Sequence, residues 1–67
     1  MEVTINGVKQ NLPDSADSVS GLLEHLHLSG KKAVVERNGT VLKKDEHADE
    51  AVEEGDILEI VHFVGGG

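Results

Sequence analysis

The sequence predicts an α+β domain in which one helix packs on a mixed sheet of four to five strands. Three observations support this prediction. Alternating apolar and polar residues flank the Asn-Gly pair at 6–7, and a second Asn-Gly pair, at 38–39, lies between two further segments of β character. A single apolar helical stripe lies in 18–28, and the most apolar stretch of the chain, 57–64, comes last. Because the chain has only 67 residues, it suffices for one small domain.

The N-terminal segment, 1–12, is predicted to be a β-hairpin. Apolar residues alternate with polar ones on both sides of Asn6-Gly7, namely Met1, Val3, Ile5, Val8 and Leu12. Alternation with a period of two is typical of a half-buried strand. Asn-Gly is the dipeptide best suited to a two-residue hairpin turn.

Residues 18–28 are predicted to form the helix. Apolar residues recur at the i, i+3, i+4 and i+7 positions, namely Val19, Leu22, Leu23 and Leu26, which gives one apolar stripe. Asp17 or Ser18 can cap its N-terminus, and Ser29-Gly30 supplies a stop signal. Gly21 lies inside the stripe and should cost about 1 kcal/mol relative to alanine.

The second half of the chain predicts three more strands. Residues 31–42 fold back on themselves at Asn38-Gly39, and 57–64 forms a buried strand that should lie in the middle of the sheet. The polar segment between them, 43–56, has room for a single helical turn at 48–52 and a turn at 55–56. Because no second long helix is predicted, the helical stripe must cover the sheet. We therefore expect a domain over 1–64, followed by a flexible glycine tail over 65–67.

Composition excludes several classes of function. The formal net charge of −7 repels phosphate backbones and anionic lipid, so we expect neither nucleic acid nor membrane as a partner. The absence of cysteine removes a disulfide framework, a cysteine zinc site and a cysteine nucleophile, and it fits a reducing compartment. No membrane span or signal peptide is visible. We expect a cytoplasmic protein.

No pattern in the chain predicts catalysis. There is no phosphate-binding GxxxxGK loop, so the chain shows no means of binding ATP by itself. The thirteen acidic residues are interpreted as a solvated surface, since a small domain leaves little room for a cleft. His25, His27, His47 and His62 do not have the spacing of zinc ligands. We expect no catalytic residue, no metal site and no bound cofactor.

The last strand suggests a docking surface. Leu58 and Ile60 alternate with Val61 and Phe63 along it, and a single helix can cover only one face of a sheet. If Leu58 and Ile60 face the helix, Val61 and Phe63 are left exposed beside the chain end, as at a docking site. The alternative is that the 43–56 loop folds across them.

The three final glycines, Gly65, Gly66 and Gly67, present a carboxylate on an arm without side chains. Such an arm spans about 10 Å when extended and can enter a narrow channel. The carboxyl of Gly67 is ionised at neutral pH and must be activated before it can react, typically as an acyl-adenylate. The tail is therefore interpreted as a substrate for another enzyme, with a disordered terminus as the alternative.

Four motifs carry a resemblance to a known family. They are VTINGV at 3–8, VSGLLEHL at 19–26, VVERNGTVL at 34–42 and, most specific, VEEGDILEIVHFVGGG at 52–67. Together they make the whole chain similar to the thiamine-pathway sulfur carriers of the ThiS type, which have the ubiquitin-like β-grasp fold. Two departures are Gly21 in the helix and His47 where an aromatic residue is common. They concern contacts rather than the tail.

The resemblance implies a protein co-substrate that is not an enzyme and is a monomer when free. An E1-like adenylating enzyme (ThiF-type) would activate the carboxyl with ATP and Mg²⁺. A sulfur donor such as a cysteine desulfurase would supply the sulfur of a thiocarboxylate, and thiazole synthase (ThiG-type) would use it. By position, the resemblance implies Gly67 as the modified residue, Gly65 and Gly66 as its arm, and Val61, Phe63 and Val64 as partner contacts.

Three alternative functions remain open at this stage. The first is a sulfur carrier subunit of molybdopterin synthase, which shares the fold and the glycine end but is usually longer. The second is a ubiquitin-like modifier that is joined to lysines of target proteins. The third is a plain interaction domain with an idle tail.

Overall fold

Five strands and one α-helix follow one another in the predicted order in the described part of the chain. The structure, a computed structural model, describes residues 1–29 and 32–62. The strands are β1 (Glu2–Ile5), β2 (Val8–Asn11), β3 (Ala33–Arg37), β4 (Thr40–Leu42) and β5 (Ile57–His62), and the helix is α1 (Val19–His25). The strand order β2-β1-β5-β3-β4 places β5 in the middle, which confirms the prediction.

The sheet is mixed because its central strand pairs in opposite senses on its two sides. β5 runs parallel to β1, with Thr4 opposite Ile57, and antiparallel to β3, where the register extends to Ala33 opposite His62. Each neighbour of β5 belongs to one of the two predicted hairpins. The last strand is therefore held between the hairpins.

Both Asn-Gly pairs form the predicted hairpin turns. The φ angles are 50° at Asn6 and 82° at Gly7, and 49° at Asn38 and 88° at Gly39. A type I′ turn requires positive φ at both central residues, and its twist matches that of the flanking strands. Asparagine and glycine tolerate this conformation best, so the turn chemistry agrees with the strand pairing.

An aliphatic core lies between α1 and one face of the sheet. Helix α1 contributes Val19, Leu22 and Leu23, while the sheet and its connections contribute Val3, Ile5, Leu12, Ala16, Val35, Leu42, Val52, Leu58 and Ile60. Leu22 and Leu58 are completely buried. The predicted helical stripe therefore does cover the sheet.

Helix α1 is shorter than predicted, because it ends at His25 and not near Ser29-Gly30. His27 takes a left-handed φ of 62°, and the N–H of Leu28 donates to the carbonyl of Leu23 at 2.7 Å. The N–H of His27 donates to the carbonyl of Glu24 at 3.1 Å. These bonds form a Schellman motif, in which glycine usually occupies the left-handed position. The sequence does not reveal this helix end, because a histidine and not a glycine occupies the left-handed position.

Gly21 occupies a crowded position at the start of α1. Ser18 is the N-cap, and its Oγ accepts a hydrogen bond from the N–H of Gly21 at 3.0 Å. A Cβ on Gly21 would lie 3.3 Å from that Oγ and 3.4 Å from the carbonyl oxygen of Ser15. Glycine has a lower helix propensity than alanine. At this position, however, the Cβ of an alanine would make close contacts with Ser18 and Ser15.

The 43–56 segment differs from its prediction. The helical turn expected at 48–52 is absent there, and a 3₁₀ turn forms earlier, at Lys44–Glu46. Residues 50–52 run along the start of α1 instead: the carbonyl of Glu50 accepts from the N–H of Val19 at 2.9 Å, and Val52 donates to the carbonyl of Asp17 at 2.9 Å. Tertiary hydrogen bonds therefore replace the local helical ones. The turn expected at 55–56 is confirmed, with a φ of 83° at Gly55.

Arg37 ties this segment to the sheet. Its Nε lies 2.7 Å from Oδ2 of Asp56, and its two terminal nitrogens lie 3.0 Å from Glu50 and 2.8 Å from Glu53. Burial by itself raises the pKa of Asp56, but hydrogen bonds from Arg37, from the N–H of Glu53 and from Asn38 outweigh it and hold that pKa below its ordinary value. The hydrogen bond with Asp56 in turn raises the pKa of Arg37. The charged forms thus stabilise each other.

Candidate functional site

The two faces of β5 differ sharply in exposure. Leu58 and Ile60 lie under α1 and are 0% and 5% exposed, whereas Ile57 and Val61 are each 58% exposed. The predicted division of the strand is thereby confirmed for Val61. The alternative, that the 43–56 loop covers this residue, is wrong because that loop packs against the start of α1.

The face of the sheet away from α1, here called the open face, is partly apolar. Four of its side chains are large, apolar and exposed, namely Val34, Val41, Ile57 and Val61. Val34 lies directly opposite Val61 across the β3–β5 pair, so the two side chains lie on the same face. This pair sits at the end of β5 that leads to the C-terminal residues.

Two acidic side chains lie in the middle of the open face. Glu36 and Glu59 are directly opposite each other in the register of β3 and β5. Like charges in this arrangement are destabilising. Within 1–29 and 32–62, every salt bridge involves Arg37, and none includes either glutamate. The open face therefore combines apolar groups with a negative potential that favours a partner with basic groups.

Of the predicted site residues, the structure places one. Val61 lies on the open face in β5. The other predicted positions, Phe63, Val64, Gly65, Gly66 and Gly67, lie outside the described residues. They follow His62 directly in the sequence. The base of the predicted arm is thus the central strand of the sheet.

The histidines do not form a common site in the described ranges. His25, His27 and His62 are exposed, and His47 is buried. No group of three or more histidine, aspartate or glutamate side chains in 1–29 and 32–62 could hold a metal ion. None of the described helices has the length and apolar character needed to cross a membrane.

Two side chains that sequence reasoning assigned only to turns also bind β5. Oδ1 of Asn6 accepts from the N–H of Ile60 at 2.8 Å, and Nδ2 donates to the carbonyl of Ile60 at 3.0 Å. Oδ1 of Asn38 accepts from the N–H of Ile57 at 2.9 Å, and Nδ2 donates to Oδ1 of Asp56 at 3.0 Å. The only signal in the sequence was the choice of asparagine at the first position of both turns.

Comparison with known proteins connects this geometry to a family. Residues 3–67 match the ThiS family. The sulfur carrier protein ThiS of Bacillus subtilis is 33% identical over 63 residues, which cover 94% of this chain and 96% of that protein.

Two further relatives are much longer proteins. A thiazole synthase of Paramagnetospirillum magneticum is 43% identical over 67 residues, and one of Magnetococcus marinus is 34% identical over 67 residues. The chain is aligned along its whole length in both cases but spans only 20% of each relative.

Solved structures show the same fold. The crystal structure of the thiamine biosynthesis protein (ThiS) from Geobacter metallireducens superposes with a TM-score of 0.81 at 32% identity, over all of both chains. The solution structure of a thiamine biosynthesis protein from the same organism gives a TM-score of 0.80 and covers 88% of that chain.

Proposed function

This chain belongs to the ThiS family, and from that membership we propose that it is a sulfur carrier protein of thiamine biosynthesis. The observation that carries the proposal is the family match over 3–67, which includes the three final glycines. The near full-length alignment with the Bacillus subtilis sulfur carrier supports it. The β-grasp fold is that of the ThiS crystal structure at 32% identity.

We propose that the carboxyl of Gly67 is the group that carries the sulfur. An E1-like adenylating enzyme would transfer AMP from ATP to the carboxylate, with release of pyrophosphate and with Mg²⁺ as its cofactor. The persulfide of a sulfur donor such as a cysteine desulfurase would then displace AMP, which leaves with one carboxyl oxygen, and would form an acyl disulfide. A thiol would cleave this acyl disulfide, so that the thiocarboxylate remains on Gly67 while the thiol and the donor sulfur form a disulfide. The chain acts here as a co-substrate, because its sequence has no phosphate-binding loop of its own.

Thiazole synthase is the proposed acceptor of this sulfur. The two thiazole synthases from Paramagnetospirillum and Magnetococcus each contain a segment that aligns with the whole of this chain. Two activities that share one polypeptide meet at a high effective concentration. A domain similar to this one and a thiazole synthase are therefore expected to act in the same reaction.

The open face is the proposed contact with these enzymes. It presents the exposed Val34 and Val61 beside the end of β5, and Phe63 and Val64 follow in the sequence. Apolar groups of this kind favour binding when a partner removes them from water, by about 25 cal/mol per Å² of buried apolar surface. A partner that binds here holds the strand that leads to Gly67.

Replacing Val61 by serine is expected to raise the KM of the adenylating enzyme for this protein about tenfold, because an apolar anchor is lost. The matched control is Val8→Ser. Val8 is 59% exposed, against 58% for Val61, but it lies on the edge strand β2, opposite Ile5. Thermal unfolding should change little in either variant, since both side chains are exposed. Equal KM values for the two variants would argue against the open face as the contact.

Intact mass after co-expression tests the function itself. We expect that co-expression with an adenylating enzyme and a cysteine desulfurase replaces one oxygen of the protein by one sulfur. A variant without Gly67 serves as the control and should keep its oxygen, because its carboxyl is one residue short. A covalent bond to a lysine of another protein would indicate a ubiquitin-like modifier. An unchanged mass would instead support the third alternative, a plain interaction domain with an idle tail. Sulfur transfer to molybdopterin synthase but not to thiazole synthase would support the other carrier class.

A further inference from the structure

We propose that Asn6 is a positioning residue for the carrier reaction. Its side chain holds the end of β5 in the sheet, and this strand end carries Val61 and precedes the residues that lead to Gly67 in the sequence. This proposal rests on the proposed function, since it concerns how the Gly67 carboxyl is presented.

The side chain of Asn6 continues the β1–β5 ladder after the main chain has turned away. β1 ends at Ile5, and Asn6 begins the turn with a φ of 50°. Its own N–H still donates to the carbonyl of Leu58 at 2.9 Å. Its amide then donates to and accepts from Ile60, at 3.0 Å and 2.8 Å. The Asn6 side chain thus makes the two hydrogen bonds to Ile60 that main-chain N–H and C=O groups would make if β1 continued.

This replacement matters because the two sides of β5 are supported unequally. The β3 side pairs as far as His62, whereas the β1 side pairs only as far as Leu58. Among the hydrogen bonds of the described residues, the Asn6 amide is the group that carries the β1 side on to Ile60. Without it, the end of β5 would be paired along one edge alone.

Loss of the amide would also leave two partly buried main-chain groups of Ile60 without partners. Ile60 is 5% exposed, and an unpaired buried N–H or C=O costs as much as a lost hydrogen bond. The strand can relieve this cost by separating from the sheet at Ile60, where water can reach both groups. A partner that binds Val61 would then have to order the strand end first, which lowers its affinity.

Position along the chain amplifies this effect. Val61 is the next residue after Ile60, and Gly67 is seven residues away. Seven extended residues reach at most about 25 Å. Loosening at Ile60 therefore adds to the length of chain that a partner must order before it can place the carboxyl, which raises KM.

Asn38 provides a matched control for Asn6. It occupies the same position of the same type of turn, with a φ of 49°, and glycine follows it as well. Its side chain also makes two hydrogen bonds to the β5 region, but at Ile57 and Asp56. These residues lie at the start of β5, away from the C-terminal residues. A glycine at either position tolerates the positive φ.

The experiment compares Asn6→Gly, Asn38→Gly and Asn6→Asp in the full chain. Amide hydrogen exchange of the free protein is measured at Ile60 and Val61, and KM and kcat are measured with the adenylating enzyme by ATP–pyrophosphate exchange. Asn6→Gly should accelerate exchange at both amides and raise KM about tenfold. Asn38→Gly should leave KM within about twofold even if it lowers thermal stability as much. Asn6→Asp keeps the acceptor for Ile60 and should give an intermediate KM.

Several results would overturn the proposal. Equal KM increases in Asn6→Gly and Asn38→Gly would show a general effect of stability, and an unchanged KM in Asn6→Gly would show that the side chain does not position the arm. Unchanged amide exchange at Ile60 in Asn6→Gly would show that the Asn6 side chain does not hold the end of β5, whatever the KM values are. If the wild-type protein is not adenylated at all, the proposed function fails, while the exchange data still decide whether Asn6 holds the strand end.

Discussion

A protein with one alanine added after Gly67 folds normally and loses at least about 99% of its sulfur transfer. The added residue moves the terminal carboxyl by about 3.3–3.6 Å and adds a methyl group to an arm without side chains. A displacement of about 1 Å can already cost about 100-fold in rate. The domain itself should be unaffected, because the addition lies beyond β5 and the core. Single-turnover formation of the thiocarboxylate measures the loss, and thermal unfolding checks the fold.

A synthetic protein with an amide in place of the Gly67 carboxylate separates chemistry from length. It keeps the reach of the arm but has no carboxylate to adenylate, so it should be inactive while it still binds the adenylating enzyme. The alanine-extended protein should bind as well and react poorly. Thiazole formation at the wild-type rate by the extended protein would show that Gly67 does not carry the sulfur.

Replacing Asp56 by alanine is expected to lower the free energy of unfolding by about 3 kcal/mol, because several hydrogen bonds to a charged group are lost, at about 1.5–3 kcal/mol each, and Arg37 keeps only Glu50 and Glu53 as partners. The Asp56 side chain is 7% exposed and that of Arg37 is 17% exposed. The N–H of Glu53 and the side chain of Asn38 also lose an acceptor. In a domain of this size, the midpoint of thermal unfolding should fall by roughly 12–24 °C. Asp49→Ala is the control: Asp49 is exposed in the same segment, so its loss should change stability by less than about 0.5 kcal/mol.

The same carboxyl makes stability depend on pH in a defined direction. Because the pKa of Asp56 lies below its ordinary value in the folded protein, its stabilising effect is complete above the unfolded pKa of about 3.9. It is lost as the pH falls through the folded value. Stability of the wild-type protein should therefore decline as the pH falls below about 3.9, and the decline should be smaller in Asp56→Ala. Parallel curves for the two proteins would mean that another carboxyl is responsible.

Most strands and turns could be predicted because their signals are local. The two Asn-Gly turns and the alternation around the first of them depend on residues that are neighbours in sequence, and the structure confirms both hairpins. The division of β5 into a buried and an exposed face follows from the same period of two, as Leu58 and Val61 show. The end of α1 was harder to predict from the sequence, because His27 takes a left-handed conformation that glycine usually adopts at a helix end.

The sequence by itself determined the α+β class, the two hairpins, the helical stripe, the central place of β5 and the family resemblance. These features depend on periodicity, on turn chemistry and on the ending that runs to Gly67. Only the tertiary structure decided which side chains meet across the sheet. It brought Glu36 opposite Glu59, Arg37 onto Asp56, and the amide of Asn6 onto Ile60. The partners in these pairs are 19 to 54 residues apart along the chain. Strand register, which no local pattern specifies, sets such contacts.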